Sequence, residues 1–172
     1  MKELNYLEAI QTTTDHLQHG GVFLTVAGKD GQAPNTMTIG WGGVCCIWGK
    51  PIFMAPVRPQ RYTHGLITAA DSFTVSVPTA NPLKDELLFA GTKSGRDFNK
   101  FEGHGLTAVP AQEVEAPIVS ECGIHFECKI RLIQDMTPER MDPAISGGIY
   151  KTGDFHTMVF GEIIRCYTTD AE

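Results

Sequence analysis

The chain has 172 residues, 42% of them hydrophobic and 20% charged, which suits one globular domain with a sizeable core. Its formal net charge of −6 argues against non-specific attraction to nucleic acid or to an anionic membrane surface. No apolar run approaches the ~20 residues of a membrane span, and the opening "MKELNYLEAI" has no long apolar signal segment, so the cytoplasm is the expected location.

Leu4, Leu7, Ile10 and Leu17 recur at roughly helical spacing, which predicts a helix over about 2–18, ended by "HGG". A barrel over about 20–168 follows, and no repeat, charged block or linker divides the single domain expected over 1–172. "GVFLTVAG" predicts a strand and "KDGQ" a turn; "NTMTIGW", "KPIFMAPV" and "FTVSVP" predict three more strands. "YTHGLITAAD" suits a short helix, and "NPLKDELLFAGTK" a second one, from Asn81 as N-cap to a stop at Gly91. "SGRDFNKFEGHG" is polar and glycine-bounded, a loop with room for one helical turn.

From Ile118 to Leu132 apolar residues alternate strictly with polar ones: Ile118, Cys122, Ile124, Phe126, Cys128, Ile130 and Leu132 against Glu121, His125, Glu127, Lys129 and Arg131. Period two predicts a strand with one face buried and the other wet or lining something. "HTMVFGEIIRCYTT" predicts a last strand. Six or seven strands with a few short helices make the chain mainly β, a closed or nearly closed antiparallel barrel.

The five cysteines, Cys45, Cys46, Cys122, Cys128 and Cys166, are an odd number with no C-x-x-C, which does not suggest a disulfide framework. Adjacent Cys45 and Cys46 read as two small apolar residues of a strand, with a vicinal disulfide as the alternative and a redox role left open. In "ECGIHFEC" a histidine lies between two cysteines, but alternation turns His125 away from Cys122 and Cys128. Those two stand ~20 Å apart along an extended strand, whereas zinc ligands converge within about 2.3 Å of one ion, so no metal site is expected. The glycines of "GWGGVCCIWG" do not spell G-x-G-x-x-G, and neither G-x-x-x-x-G-K-[ST] nor G-x-S-x-G occurs. If the protein is an enzyme, a bound cofactor supplies its chemistry.

The informative stretch is "APVRPQRYTHGLI": an apolar run stops at Arg58 and Arg61, two of six arginines in the chain, with Thr63 just beyond. Guanidinium groups match phosphate oxygens. If the strand turns into a helix here, Arg58, Arg61 and Thr63 converge, and the N–H groups of Tyr62 to His64 also face an anion. The alternative is that both arginines make surface salt bridges.

"NTMTIGWGGVCCIWGKPIFMAPVRPQRYTHGLITAADSFTVSVP", followed in order by "GTKSGRDFNKFEGHGLT", "PIVSECGIHFECKI" and "GDFHTMVFGEI", resembles the flavin reductase-like family. These are FMN-binding, Greek-key split β-barrels that include flavoredoxins. The resemblance spans roughly 18–167. It implies that FMN is the cofactor, with its ring along "NTMTIGW", near Thr38, Gly40 and Trp41, and with its phosphate and ribityl chain at Arg58, Arg61, Tyr62 and Thr63. Gln60 stands where serine is frequent in the family, and its carboxamide also donates to phosphate.

Arg96 and Lys100 become candidate contacts to the cofactor or to a nicotinamide's phosphates; a solvated loop with an Asp97–Lys100 pair is the alternative. His156 matches a position near the reactive face of the flavin, with a core histidine as the other reading, and no catalytic residue is assigned. The resemblance implies hydride transfer from NAD(P)H to FMN by a flavin reductase, or electron transfer by a flavoredoxin-type carrier whose donor is a redox protein. It further implies a homodimer with FMN near the interface and with Trp41 or Trp48 covered. A barrel that binds some other phosphorylated or planar ligand stays open.

Overall fold

A two-residue strand, β1 (Lys2–Glu3), pairs with the far end of the chain, Lys2 opposite Thr168 and Glu3 opposite Tyr167. The first helix, α1, therefore occupies Tyr6–His19 rather than about 2–18. Asn5 caps it from extended backbone, its side chain accepting from the Leu7 N–H at 3.0 Å. The computed structural model describes residues 1–29 and 31–169, so the turn predicted at "KDGQ" includes Asp30, which lies outside them.

The remaining elements are β2 (Val22–Val26), β3 (Asn35–Ile39), β4 (Gly43–Ile47), β5 (Lys50–Val57), α2 (Tyr62–Ile67), β6 (Ser72–Val77) and α3 (Lys84–Thr92). Then come β7 (Ala108–Val109), β8 (Ile118–Val119), β9 (Ile124–Asp135), α4 (Pro143–Gly148) and β10 (Thr157–Thr168). The main sheet runs β3-β2-β6-β9-β10-β5-β4, every pair antiparallel, with β1 added beside β10 and β7–β8 a separate pair. The mainly β, antiparallel architecture is as expected, with strand order departing from chain order in the Greek-key manner.

The core lies inside this curled sheet, where Val22, Leu24, Phe53, Phe73, Val75, Phe126 and Val159 are buried. β10 bends through register shifts at Phe160/Gly161 and Ile163/Arg165. At the first of them a Cβ on Gly161 would stand 2.4 Å from Phe73 Cε1, so the strand reaches the core only because that residue has no side chain.

Two predicted boundaries move. α3 begins at Lys84 after Leu83 in left-handed backbone (φ 44°), while Asn81 accepts from the Leu83 N–H at 3.3 Å one turn earlier, and the helix ends at Thr92. The Ile118–Leu132 alternation is broken where Cys122 N–H closes a turn on the Val119 carbonyl; Ile118–Val119 belongs to β8 and β9 starts at Ile124.

The second face of this strand, expected to be wet or lining something, is not wet: His125 and Glu127 are both fully buried. The segment before β8 crosses that face, and the N–H groups of Gln112 and Glu113 donate to the Glu127 carboxylate at 2.8 and 2.7 Å. His125 is held between Ser76 Oγ and Thr169 Oγ1, each at 3.1 Å. Exposure on both faces returns only beyond Cys128, at Lys129, Arg131 and Leu132.

Candidate functional site

β5 ends at Val57 and the chain turns into α2, with the Arg61 N–H closing on the Arg58 carbonyl at 3.0 Å. Arg61 is the N-cap of α2, and the His64 N–H donates back to the Arg61 carbonyl at 3.0 Å. Of the three N–H groups expected to face an anion, that of His64 is therefore committed inside the helix.

The C-terminus of α3 lies against this turn. Its last carbonyls lack intrahelical partners and carry partial negative charge, and two cations answer them. Arg61 Nη1 donates to the Gly91 carbonyl at 2.7 Å, and Lys100 Nζ to the Ala90 carbonyl at 2.9 Å. Lys100 is only 2% exposed; burial, with the Arg61 charge second, brings its pKa down from 10.5 to about 8. Its place is thus beneath a helix end, not in a solvated loop paired with Asp97.

Both side chains line a cavity of about 330 Å³ together with Gln60, Thr63, Ser94 and Arg96. Thr63 is buried and its Oγ1 accepts from Asn35 Nδ2 at 2.8 Å, which leaves its own hydrogen for a ligand. Arg96 lies over the Tyr62 ring, 5.5 Å from its centroid. Gly95 closes the wall: a Cβ there would stand 2.2 Å from Asn35 Oδ1 and 2.5 Å from Tyr62 Cδ1. Four cations, Arg61, Lys93, Arg96 and Lys100, thus gather on one cavity of a chain whose net charge is −6, an arrangement suited to a small anion.

A second cavity, about 210 Å³, shares Met37 and Arg61 with the first and is lined by the exit of β3, Thr38 to Trp41, with Pro56, Arg58 and His156. The Thr38 hydroxyl is turned away and donates to the Leu87 carbonyl at 2.6 Å, so Thr38 faces this cavity without a free hydroxyl. Arg58 stands 3.6 Å from Asp154 Oδ2, donates to the Asp154 carbonyl at 3.3 Å and lies over the Tyr150 ring. The expected convergence of Arg58, Arg61 and Thr63 does not occur. The two arginines divide: Arg61 borders both cavities and Arg58 only the second.

Trp41, 49% exposed, has its ring 5.1 Å from that of buried His156. The Tyr150 hydroxyl stands 2.7 Å from His156 Nδ1. Burial first, then the Arg58 and Arg61 charges, against Asp154, bring the His156 pKa down to about 4, so the ring is neutral at neutral pH. A third, mostly apolar cavity of about 630 Å³ lies between α1 and α3, bounded by Leu87, Leu88, Thr38 and again Arg61.

Of the residues singled out by sequence, Arg61, Tyr62, Thr63, Arg96 and Lys100 meet at the first cavity, and Thr38, Gly40, Trp41, Arg58 and His156 at the second. Sequence reasoning missed Asn35, Gly95, Tyr150 and Asp154. Asn35, a polar residue opening an apolar strand, was a visible signal; Asp154 lies in the quoted "GDFHTMVFGEI" without a role of its own, and Tyr150 lies outside every quoted segment and reaches the site only through the fold. Cys45 and Cys46 are free thiols on β4. Among the described residues no group of three or more His, Cys, Asp or Glu is placed to hold a metal, and no helix is long and apolar enough to cross a membrane.

The family model described as "Flavin reductase like domain" matches residues 16–172. An uncharacterized protein of Archaeoglobus fulgidus is 34% identical over 149 residues, 87% of this chain and 72% of that protein. Among solved structures, flavoredoxin of Desulfovibrio vulgaris (Miyazaki F) is 27% identical, with 88% of this chain and 70% of that one covered and a TM-score of 0.68. The FMN-binding domain of a flavin reductases-like enzyme from Shewanella baltica shares the fold at 18% identity, covering 98% and 78% of the two chains with a TM-score of 0.64.

Proposed function

Because the chain belongs to the flavin reductase-like family of split barrels, we propose that it is an FMN-binding oxidoreductase, a flavin reductase that takes hydride from NAD(P)H. The observation that carries this reading is the position of Arg61, at the junction of a cation-lined cavity and a second one walled by the β3 exit, Trp41 and neutral His156. A phosphate joined to a planar ring makes these two demands on adjoining spaces. The donor set fits: Arg61, Arg96, Lys100 and the Thr63 and Ser94 hydroxyls suit a phosphate dianion. FMN, when bound, supplies the hydride and single-electron chemistry itself. The chain's part is to hold the phosphate, orient the ring along the β3 exit and keep water from it. The same reading proposes a cytoplasmic homodimer whose interface would cover the exposed Trp41, Trp48 and Leu88.

A flavoredoxin-type carrier that receives electrons from a redox protein is the second reading, favoured by the 27% identity to flavoredoxin over 88% of this chain. Purified protein is expected to be yellow or to take up FMN, and a colourless protein that takes up none removes both readings. Mixing the FMN-loaded protein with NADH or NADPH without air separates them. Rapid loss of the visible flavin absorbance marks a reductase; no loss, but bleaching by a reduced iron–sulfur protein, marks a carrier.

Lys100 gives the site a pH signature. Its ammonium is present below about 8 and lost above it, while a phosphate monoester is already dianionic above pH ~7. FMN affinity in the flavin-free protein is therefore expected to be level between pH 7 and 8 and to fall as pH rises further. Fluorescence titration checks this, and Lys100→Met is expected to remove the fall. A wild-type affinity unchanged up to pH 10 would take Lys100 out of the phosphate site.

A further inference from the structure

His156 is fixed at the entrance to β10, where its carbonyl accepts from the Met136 N–H at 2.9 Å. Beside it, Tyr150 is 6% exposed, stacked on Phe155 with ring centroids 4.7 Å apart, and covered by the Arg58 guanidinium at 5.2 Å. A phenol has one hydrogen to give, and the Tyr150 hydroxyl has two acceptors within reach: His156 Nδ1 at 2.7 Å and Met136 Sδ at 3.5 Å. A thioether is a weak acceptor and an imidazole nitrogen at this distance a strong one, so the hydrogen goes to Nδ1. The cation over the Tyr150 ring makes its hydroxyl a better donor still. In a neutral imidazole one nitrogen accepts and the other carries the proton. With Tyr150 as the donor, Nδ1 accepts and Nε2 carries the proton, and His156 lines the cavity at the β3 exit.

From this geometry we infer that Tyr150 is a positioning residue that holds His156 in the neutral Nε2–H tautomer, so that this cavity wall offers a hydrogen-bond donor to a carbonyl oxygen on a planar ring ligand. An uncharged N–H suits a neutral oxygen acceptor, whereas anionic groups are served by the guanidinium groups nearby. Two features keep the donor uncharged: the ring is buried, and Arg58 and Arg61 oppose a second proton, against the Asp154 carboxylate. The identity of the ring ligand, though not the tautomer, rests on the FMN reading.

Long-range ¹H–¹⁵N correlation NMR of the flavin-free protein tests the inference, with the His156 signals assigned by their loss in His156→Gln. The expected pattern is an unprotonated Nδ1 and a protonated Nε2 at pH 7, and a mixture of tautomers in Tyr150→Phe while the backbone amide spectrum of that variant still reports a folded protein. On adding FMN to the wild type, the Nε2–H resonance is expected to shift as the donor finds its acceptor. A proton on Nδ1, or a tautomer unmoved in Tyr150→Phe, overturns the positioning role. FMN binding that leaves Nε2–H unshifted overturns the carbonyl contact. The Nε2–H tautomer in a protein that takes up no FMN supports the role of Tyr150 and overturns the flavin reading alone.

Discussion

Arg61→Ala is expected to weaken FMN binding by about 1.5–3 kcal/mol, roughly 10- to 150-fold, the worth of a charge-assisted hydrogen bond to phosphate. The magnitude follows from position. Arg61 borders each of the three cavities described above, and its Nη1 is held by the Gly91 carbonyl at 2.7 Å, so its guanidinium is already ordered before a ligand arrives. Arg58→Ala is expected to cost less, since Arg58 lies outside the cation-lined cavity and is engaged by Asp154, Ile149 and Tyr150. Quenching of FMN fluorescence on titration with protein measures both constants. An Arg61→Ala affinity equal to wild type, or an Arg58→Ala loss larger than that of Arg61→Ala, would place the phosphate elsewhere.

Phe126→Ala is expected to lower folding stability by about 3–5 kcal/mol, the usual cost of a cavity the size of a buried aromatic side chain. Phe126 is fully buried on β9, with its ring centroid 5.6 Å from that of Phe53, which is in turn 6.5 Å from Phe73. These rings come from three strands, so the site is enclosed on several sides and relaxes little. For a domain of this size the loss corresponds to a fall in Tm of roughly 6–20 °C. Thermal and denaturant unfolding are the measurements, and FMN affinity of the folded fraction is expected to stay unchanged, because the ring touches neither cavity. A loss below ~1 kcal/mol would mean that the sheet closes around the deleted ring.

β9 also shows where alternation stops being informative. Ile124, Phe126 and Cys128 face the core as the period-two pattern requires. The same pattern left His125 and Glu127 on a face either wet or lining something, and both are buried. Alternation reports which residues share a face; it does not report whether another segment covers the polar face. Here the N–H groups of Gln112 and Glu113 satisfy the Glu127 carboxylate, and no local pattern in that stretch announces a contact with a strand more than ten residues away. A charge can be buried this way because its hydrogen bonds are made by the covering segment itself.

What the sequence determined by itself was local chemistry and period: β5 over Lys50–Val57, the turn at Arg58–Arg61, α2 after it, and the identity of the cationic residues. Strand period and turn chemistry are set by neighbours in the chain, which is why they are legible without a fold. The tertiary structure alone decided that Arg61 reaches the cation-lined cavity while Arg58 stays at the second, that Lys100 lies beneath the end of α3, and that Tyr150 reaches His156. Each of these depends on the distance between segments far apart in sequence, and that distance is fixed by sheet order and packing rather than by any residue's own preference.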